Sequence, residues 1–271
     1  MKNIRTIIKK EWAEVFKRRL VVLVMLIVPL LFTIIPLVML GVMSSVRVDV
    51  GADVNPEMLA QSGSMPGDAA EICVGLSGSD CVQVMMVIQF LLMFMMMPLL
   101  LPITIAAYSI VGEKTTRSLE PLLATPITTL ELLTGKCLAA VIPAVGATWA
   151  SFAVFNIGLV LIKVSPGVRE YILGPTWLLG ILVLGPVLAV IAVNFALYVS
   201  SRVSDPRMAE QISGVLILPF MAVVFGQLAG VLTVNVKFML LSILVCTLIA
   251  VGMMYLGTVI FDRENILTKW K

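Results

Sequence analysis

The sequence predicts an all-α polytopic membrane protein, with six transmembrane helices and both termini in the cytoplasm. Three observations predict it. First, 60% of the 271 residues are hydrophobic and only 13% are charged, with a mean hydropathy of +1.07. A soluble domain would need far more polar surface to cover its core. Second, six apolar stretches stand out: Leu20–Met43, Val84–Val111, Cys137–Ile162, Trp177–Val199, Ile212–Val234 and Phe238–Phe261. Each exceeds the ~20 residues a helix needs to cross hydrocarbon. Third, the basic residues divide unevenly between alternate gaps, as the positive-inside rule requires.

Helices follow because a backbone in lipid must satisfy its own hydrogen bonds. The period-two alternation of a transmembrane β-barrel is absent. Pro29, Pro36, Pro98, Pro102, Pro143, Pro186 and Pro219 fall inside the stretches, where spanning helices tolerate them as kinks. With the N-terminus inside, the inner gaps hold Lys2, Arg5, Lys9, Lys10, Lys17, Arg18, Arg19, Lys114, Arg117, Lys136, Arg202, Arg207, Arg263, Lys269 and Lys271. The outer gaps hold only Arg47, Lys163, Arg169 and Lys237 of the 19 Lys and Arg. The net charge of +3 and pI near 8.7 thus reflect membrane orientation, and no nucleic-acid partner is expected.

The chain reads as one membrane domain over 1–271. Segment 1–19 is an interfacial helix. The spans are 20–43, 84–111, 137–162, 177–199, 212–234 and 238–261. Between them lie an extracellular loop over 44–83 and a cytoplasmic loop over 112–136, and 262–271 is a cytoplasmic tail. The first stretch is a retained span: its apolar run exceeds the ~7–15 residues of a signal-peptide core, and no small-x-small cleavage site follows.

In 1–19, Ile4, Ile7, Ile8, Trp12, Val15 and Phe16 recur at helical spacing, with Arg5, Lys9, Lys10, Glu14, Lys17 and Arg18 on the other side. Such a helix lies in the inner interface with Trp12 at headgroup depth; a basic topogenic tail is the alternative. The outer loop contains Cys73 and Cys81. In an oxidising space they are candidates for a disulfide, the alternative being two free thiols. Cys137 and Cys246 fall within spans and read as small packing residues.

The inner loop after the second span, 112–136, is the most informative segment. Pro121 and Pro126 divide it, and Ser118-Leu-Glu-Pro and Thr125-Pro-Ile-Thr are helix-start signals. Thr128 or Thr129 can cap a helix that runs Leu130-Glu-Leu-Leu into the third span. Exposed Leu mixed with Glu suits docking onto a soluble partner. The residues alone leave an ordinary solvated connector equally open.

The absence of histidine excludes the His-Glu-x-x-His zinc site and any Ser-His-Asp triad, so no catalytic or metal-binding set is assigned. No Asp, Glu, Lys or Arg lies deep in any stretch, which argues against an ion-coupled carrier. Mild polarity remains at Gln89, Thr104, Tyr108, Ser151, Asn156, Asn194, Ser213 and Gln227. Asn194 and Gln227 are the candidates for a translocation path, with interhelical hydrogen bonds as the alternative. Met85, Met86, Met93, Met95, Met96 and Met97 crowd the second span. They form no single stripe and read as packing or lipid-facing residues rather than a copper path.

The run Glu113-Lys-Thr-Thr-Arg-Ser-Leu-Glu-Pro-Leu-Leu-Ala-Thr-Pro126 resembles the cytoplasmic signature of type-2 ABC transporter permeases, with Glu131-Leu-Leu-x-Gly-Lys136 fitting the same pattern. The N-terminal helix, the external loop and the six spans fit as well. Ser201–Gln211 and Phe261–Leu267 are similar to the sodium-exporter-like branch. The resemblance covers essentially the whole chain, and its most specific part is Leu-Glu-x-Leu-Leu-x-Thr-Pro. Ser118 departs from the more usual Thr, a change that keeps the capping chemistry.

The resemblance implies the permease subunit of an exporter in the plasma membrane. It implies pairing with a second permease copy or homologue and with two cytoplasmic ABC ATPase subunits that bind ATP and Mg. The loop would be the coupling helix. Glu113, Lys114, Arg117, Glu120 and Glu131 would supply its polar contacts, and Leu119, Leu122 and Leu123 its apolar ones, with Thr125 and Pro126 shaping its end. Members of the family commonly dimerise through their first and fifth spans. That makes the small-xxx-small pair Gly226 and Gly230 a candidate dimer contact, with packing inside one subunit the alternative. The family also often has re-entrant helices between its fifth and sixth spans.

The chain itself lacks the phosphate-cradling Gly-x-x-x-x-Gly-Lys-Ser/Thr loop. Its one Gly-Lys pair, Gly135-Lys136, is followed by Cys137, and Leu130 stands where the first Gly belongs. No cofactor is therefore expected in this chain. The rival readings are an ATPase-independent secondary transporter or channel, a membrane-embedded enzyme, and a permease-like sensor. The substrate, and homo- versus heterodimer, are not legible.

Overall fold

The structure, a computed structural model, describes residues 2–45, 78–115 and 128–260. The described residues are helical nearly throughout. α1 is Lys2–Val15 and α2 Arg19–Ser45. α3 is Gly78–Phe94 and α4 Met97–Thr115. α5 is the longest, Thr129–Leu161, followed by the short α6, Pro166–Ile172, and α7, Pro175–Leu179. A π-helical turn, Gly180–Leu184, leads into α8, Gly185–Arg202. α9, Pro206–Ser213, joins α10, Ile217–Leu228, through one 3-10 turn, and α11 is Val236–Ile260.

Six of these helical stretches are long and apolar enough to cross a membrane: Val21–Met43, Asp80–Ser109, Leu130–Leu161, Pro166–Arg202, Pro206–Leu228 and Val236–Gly257. This is a multi-pass membrane architecture. Six is also the number read from sequence, and three local differences in the spans bear on the fold.

The second span is broken at Met95–Met96, between α3 and α4. Pro98 has no N–H to donate and its ring crowds the carbonyl of Phe94, and the break falls at that point. By contrast Pro29, Pro36, Pro102 and Pro143 stay inside helices. The fourth span begins earlier than expected, because α6 and α7 precede the π turn. Pro186 sits in the first turn of α8, where a missing N–H is least costly. The fifth span is shifted toward the N-terminus: its helix stops at Leu228 rather than near Val234. Gly230 adopts φ 71°, and Val231 and Leu232 N–H both donate to Gly226 C=O at 2.9 and 3.0 Å. This left-handed closure needs glycine.

The core is built by α4, α5 and α8, with the broadest packing between α4 and α8. At one end small residues let the three axes approach, with Ala106, Ala140, Ala189, Ala192 and Ala196 all buried. At the other end large side chains fill the space. Phe94 meets Phe152 edge-on at 6.3 Å and Phe155 at 5.3 Å, beside fully buried Trp177. α1 lies along α5. α2, α10 and α11 bury little; in α10 only Val224 is buried. Their apolar outer faces suit lipid or another subunit.

Candidate functional site at the base of the 116–128 segment

The helix flanking this segment on its C-terminal side starts with a capping box. Glu131 N–H donates to Thr128 Oγ1 and Thr128 N–H to Glu131 Oε2, each at 3.2 Å. Two otherwise unpaired donors are satisfied reciprocally. One turn further along, α5 carries Lys136 into a buried site. Its Nζ donates to Glu11 Oε1 of α1 at 2.7 Å and to Ser109 Oγ of α4 at 2.8 Å. Ser109 Oγ in turn donates to Glu11 Oε2 at 3.1 Å. The Lys136 and Glu11 side chains are only 2% and 6% exposed, so this is a desolvated ion pair with its hydrogen bonds shared among three helices. Such a pair holds only while both charges are present.

Other contacts tie the same three helices. Trp12 Nε1 of α1 donates to Ala139 C=O of α5 at 2.9 Å. Gly135 lets α1 come this close: a Cβ there would stand 2.9 Å from Ile7. The Arg18 guanidinium, just past α1, lies over the Tyr108 ring of α4 at 4.7 Å. From α8, Ser200 Oγ accepts from Val111 N–H at 3.2 Å and donates to Ala107 C=O at 3.0 Å. Those are the donor and acceptor of one helical turn, so Ser200 bridges that turn of α4 from the side. The last turns of α4 are thus clasped by α1 and α8, and the first turns of α5 by α1.

Of the residues expected to contact an ATPase, only Glu131 has a described side chain, and it serves the capping box. Glu113 and Lys114 lie on the backbone of the last turn of α4. Arg117, Leu119, Glu120, Leu122, Leu123, Thr125 and Pro126 lie outside the described residues, as does Cys73. Cys81 is buried on the first turns of α3. Asn194 is turned into the bundle, donating from Nδ2 to Val190 C=O at 2.8 Å and facing Cys137 Sγ at 3.8 Å. Gln227, near the end of α10, has a buried Oε1 with no hydrogen-bond partner. Gly226 faces its own chain, since a Cβ there would meet Leu232 at 2.6 Å.

Sequence reasoning missed the Glu11–Ser109–Lys136 cluster. A signal was present: Glu11 falls on the stripe Ile7, Glu11, Val15, and a carboxylate inside an apolar stripe requires a buried partner.

Six membrane-capable helices, with α4, α5 and α8 forming a tight core, define a multi-pass helical membrane protein. Residues 5–240 match the family described as ABC-2 family transporter protein, and the chain belongs to that family. No curated protein matches it.

Proposed function

We propose that this chain is the permease subunit of an ATP-driven exporter, coupled through residues 112–136 to ATPase subunits carried on other polypeptides. The observation that carries this reading is the three-helix clasp at Lys136. The segment resembling a coupling helix is flanked by α4 and α5, and the buried Lys136–Glu11–Ser109 cluster joins both helices to α1 at its base. A push on the segment would therefore move α1, α4 and α5 together, and α8 with them through Ser200. Nucleotide binding can drive such a motion only if it favours one arrangement of the helices over another.

On this reading ATP and Mg are bound by the partner ATPase. Both termini are cytoplasmic, as the distribution of Lys and Arg supports, and the membrane is the plasma membrane. A second permease copy covers part of the apolar face of α2 and α10. The sodium-exporter-like branch rests on Ser201–Gln211 and Phe261–Leu267 alone. Among the described residues the buried acid and base are Glu11 and Lys136, at the end of the bundle. That favours energy delivered at the membrane surface over an ion-coupled carrier.

The test is ATPase turnover of the chain co-purified with a candidate ATPase subunit, with and without Glu120→Arg. Loss of assembly or of coupled turnover supports the reading. No complex, and no effect of the charge reversal, would bring the secondary-transporter reading forward.

A further inference from the structure

At the end of the bundle away from α1, α5 stops at Leu161 and the chain turns back through Lys163 at φ 59°. α6 follows and is anchored by buried Val168 and Ile172. Between α5 and α6 lies a cleft of about 340 Å³, lined by Asn156, Val160, Pro166, Arg169, Glu170 and Leu173. That is at the small end of the ~300–1,000 Å³ of ligand pockets, room for a headgroup and not for a whole lipid.

The chemistry of the cleft is unbalanced without a ligand. Arg169, which lines the cleft, has a buried Nε with no hydrogen-bond partner. Neither Arg169 nor Glu170 has an ion-pair partner among the described residues. A planar guanidinium with an unsatisfied Nε is matched by two oxygens of a phosphate. The neighbouring Glu170 carboxylate would repel a bare anion but accept from an ammonium. The complementary ligand therefore carries a phosphate and, a few atoms away, an N–H-bearing cation. Val154, Ile157 and Leu161 extend from the cleft along α5 at helical spacing and are well exposed, an apolar track for an acyl chain.

We propose that this cleft binds the headgroup of a zwitterionic phospholipid of the ethanolamine type, Arg169 holding the phosphate and Glu170 the ammonium. The proposal is independent of ATPase coupling. The test is native mass spectrometry of the full chain in detergent, titrated with phosphatidylethanolamine or phosphatidylglycerol of identical acyl chains. The ethanolamine lipid should bind at least about tenfold more tightly, the scale of one charge-assisted hydrogen bond. Arg169→Ala should weaken both lipids, and Glu170→Gln, at an exposed position, should abolish the preference while keeping phosphatidylglycerol. Equal binding of the two lipids by the native chain would overturn the proposal. So would an unchanged Arg169→Ala variant of native melting temperature, which would make Arg169 a snorkelling cation only. Displacement of the lipid by free phosphoethanolamine would identify a soluble ligand and overturn the lipid assignment.

Discussion

Among the described residues, Lys136 and Glu11 form the buried ion pair, and its loss carries a large energetic consequence. Both are desolvated, so removing one leaves the other charged and unpaired in a low-dielectric site. Lys136→Met should cost about 3–5 kcal/mol, whereas the double change Glu11→Leu with Lys136→Met should recover most of it. Thermal unfolding of the detergent-solubilised chain measures both, and simple addition of the two single effects would show that the residues do not form one unit. Gly135 makes a sharper geometric point. Gly135→Val places branched atoms against Ile7, and Ile7→Ala should relieve the clash. Overpacking of this kind costs ~1–3 kcal/mol, and lack of rescue would mean that α1 does not lie along α5 as described.

At the scale of elements, two irregularities among the described residues carry predictions. The π turn over Gly180–Leu184 widens the backbone so that Ile181 C=O accepts from Trp149 Nε1 of α5 at 3.1 Å. π turns are uncommon and concentrate at functional positions. Trp149→Phe should remove that bond and destabilise by about 1 kcal/mol; hydrogen exchange confined to residues 180–185 would locate the change. The second irregularity is the closure of α10 at Gly230. Its φ of 71° is costly for any residue with a Cβ, so Gly230→Ala should destabilise by ~1–2 kcal/mol. A neutral or stabilising substitution, read from the same melting curves, would contradict that backbone.

For the whole molecule, the prediction concerns orientation. Single cysteines placed in 44–83 should react with a membrane-impermeant maleimide added to intact cells, and cysteines in 116–127 or 262–271 only after permeabilisation. The physical basis is the concentration of Lys and Arg in alternate gaps, and the reverse labelling pattern would invert every inside and outside assignment. The molecule also has an uneven distribution of burial. α4, α5 and α8 form a closed core, while α2, α10 and α11 turn long apolar faces outward. Helices in lipid gain little from simple apolar burial against one another, so outward apolar faces of this kind are compatible with direct lipid contact.

The number and approximate position of the spans were determined by the sequence alone, because apolar length is a local property that lipid reads directly. A helix start at Thr128 or Thr129 was also legible, and the structure selects Thr128, whose side chain and Glu131 satisfy donors only three residues apart. Family membership was legible from Leu119–Pro126 and its surroundings. What only the tertiary structure decided is which polar residues meet. Glu11 and Lys136 are 125 residues apart, Trp12 and Ala139 127, and Ser200 reaches Val111 across 89. Nothing local pairs such residues, for each contact exists only because α1, α4, α5 and α8 pack at particular angles and depths. The same holds for the cleft between α5 and α6, whose shape depends on where the chain folds back and whose charges are ordinary surface residues until that turn sets them beside an apolar track.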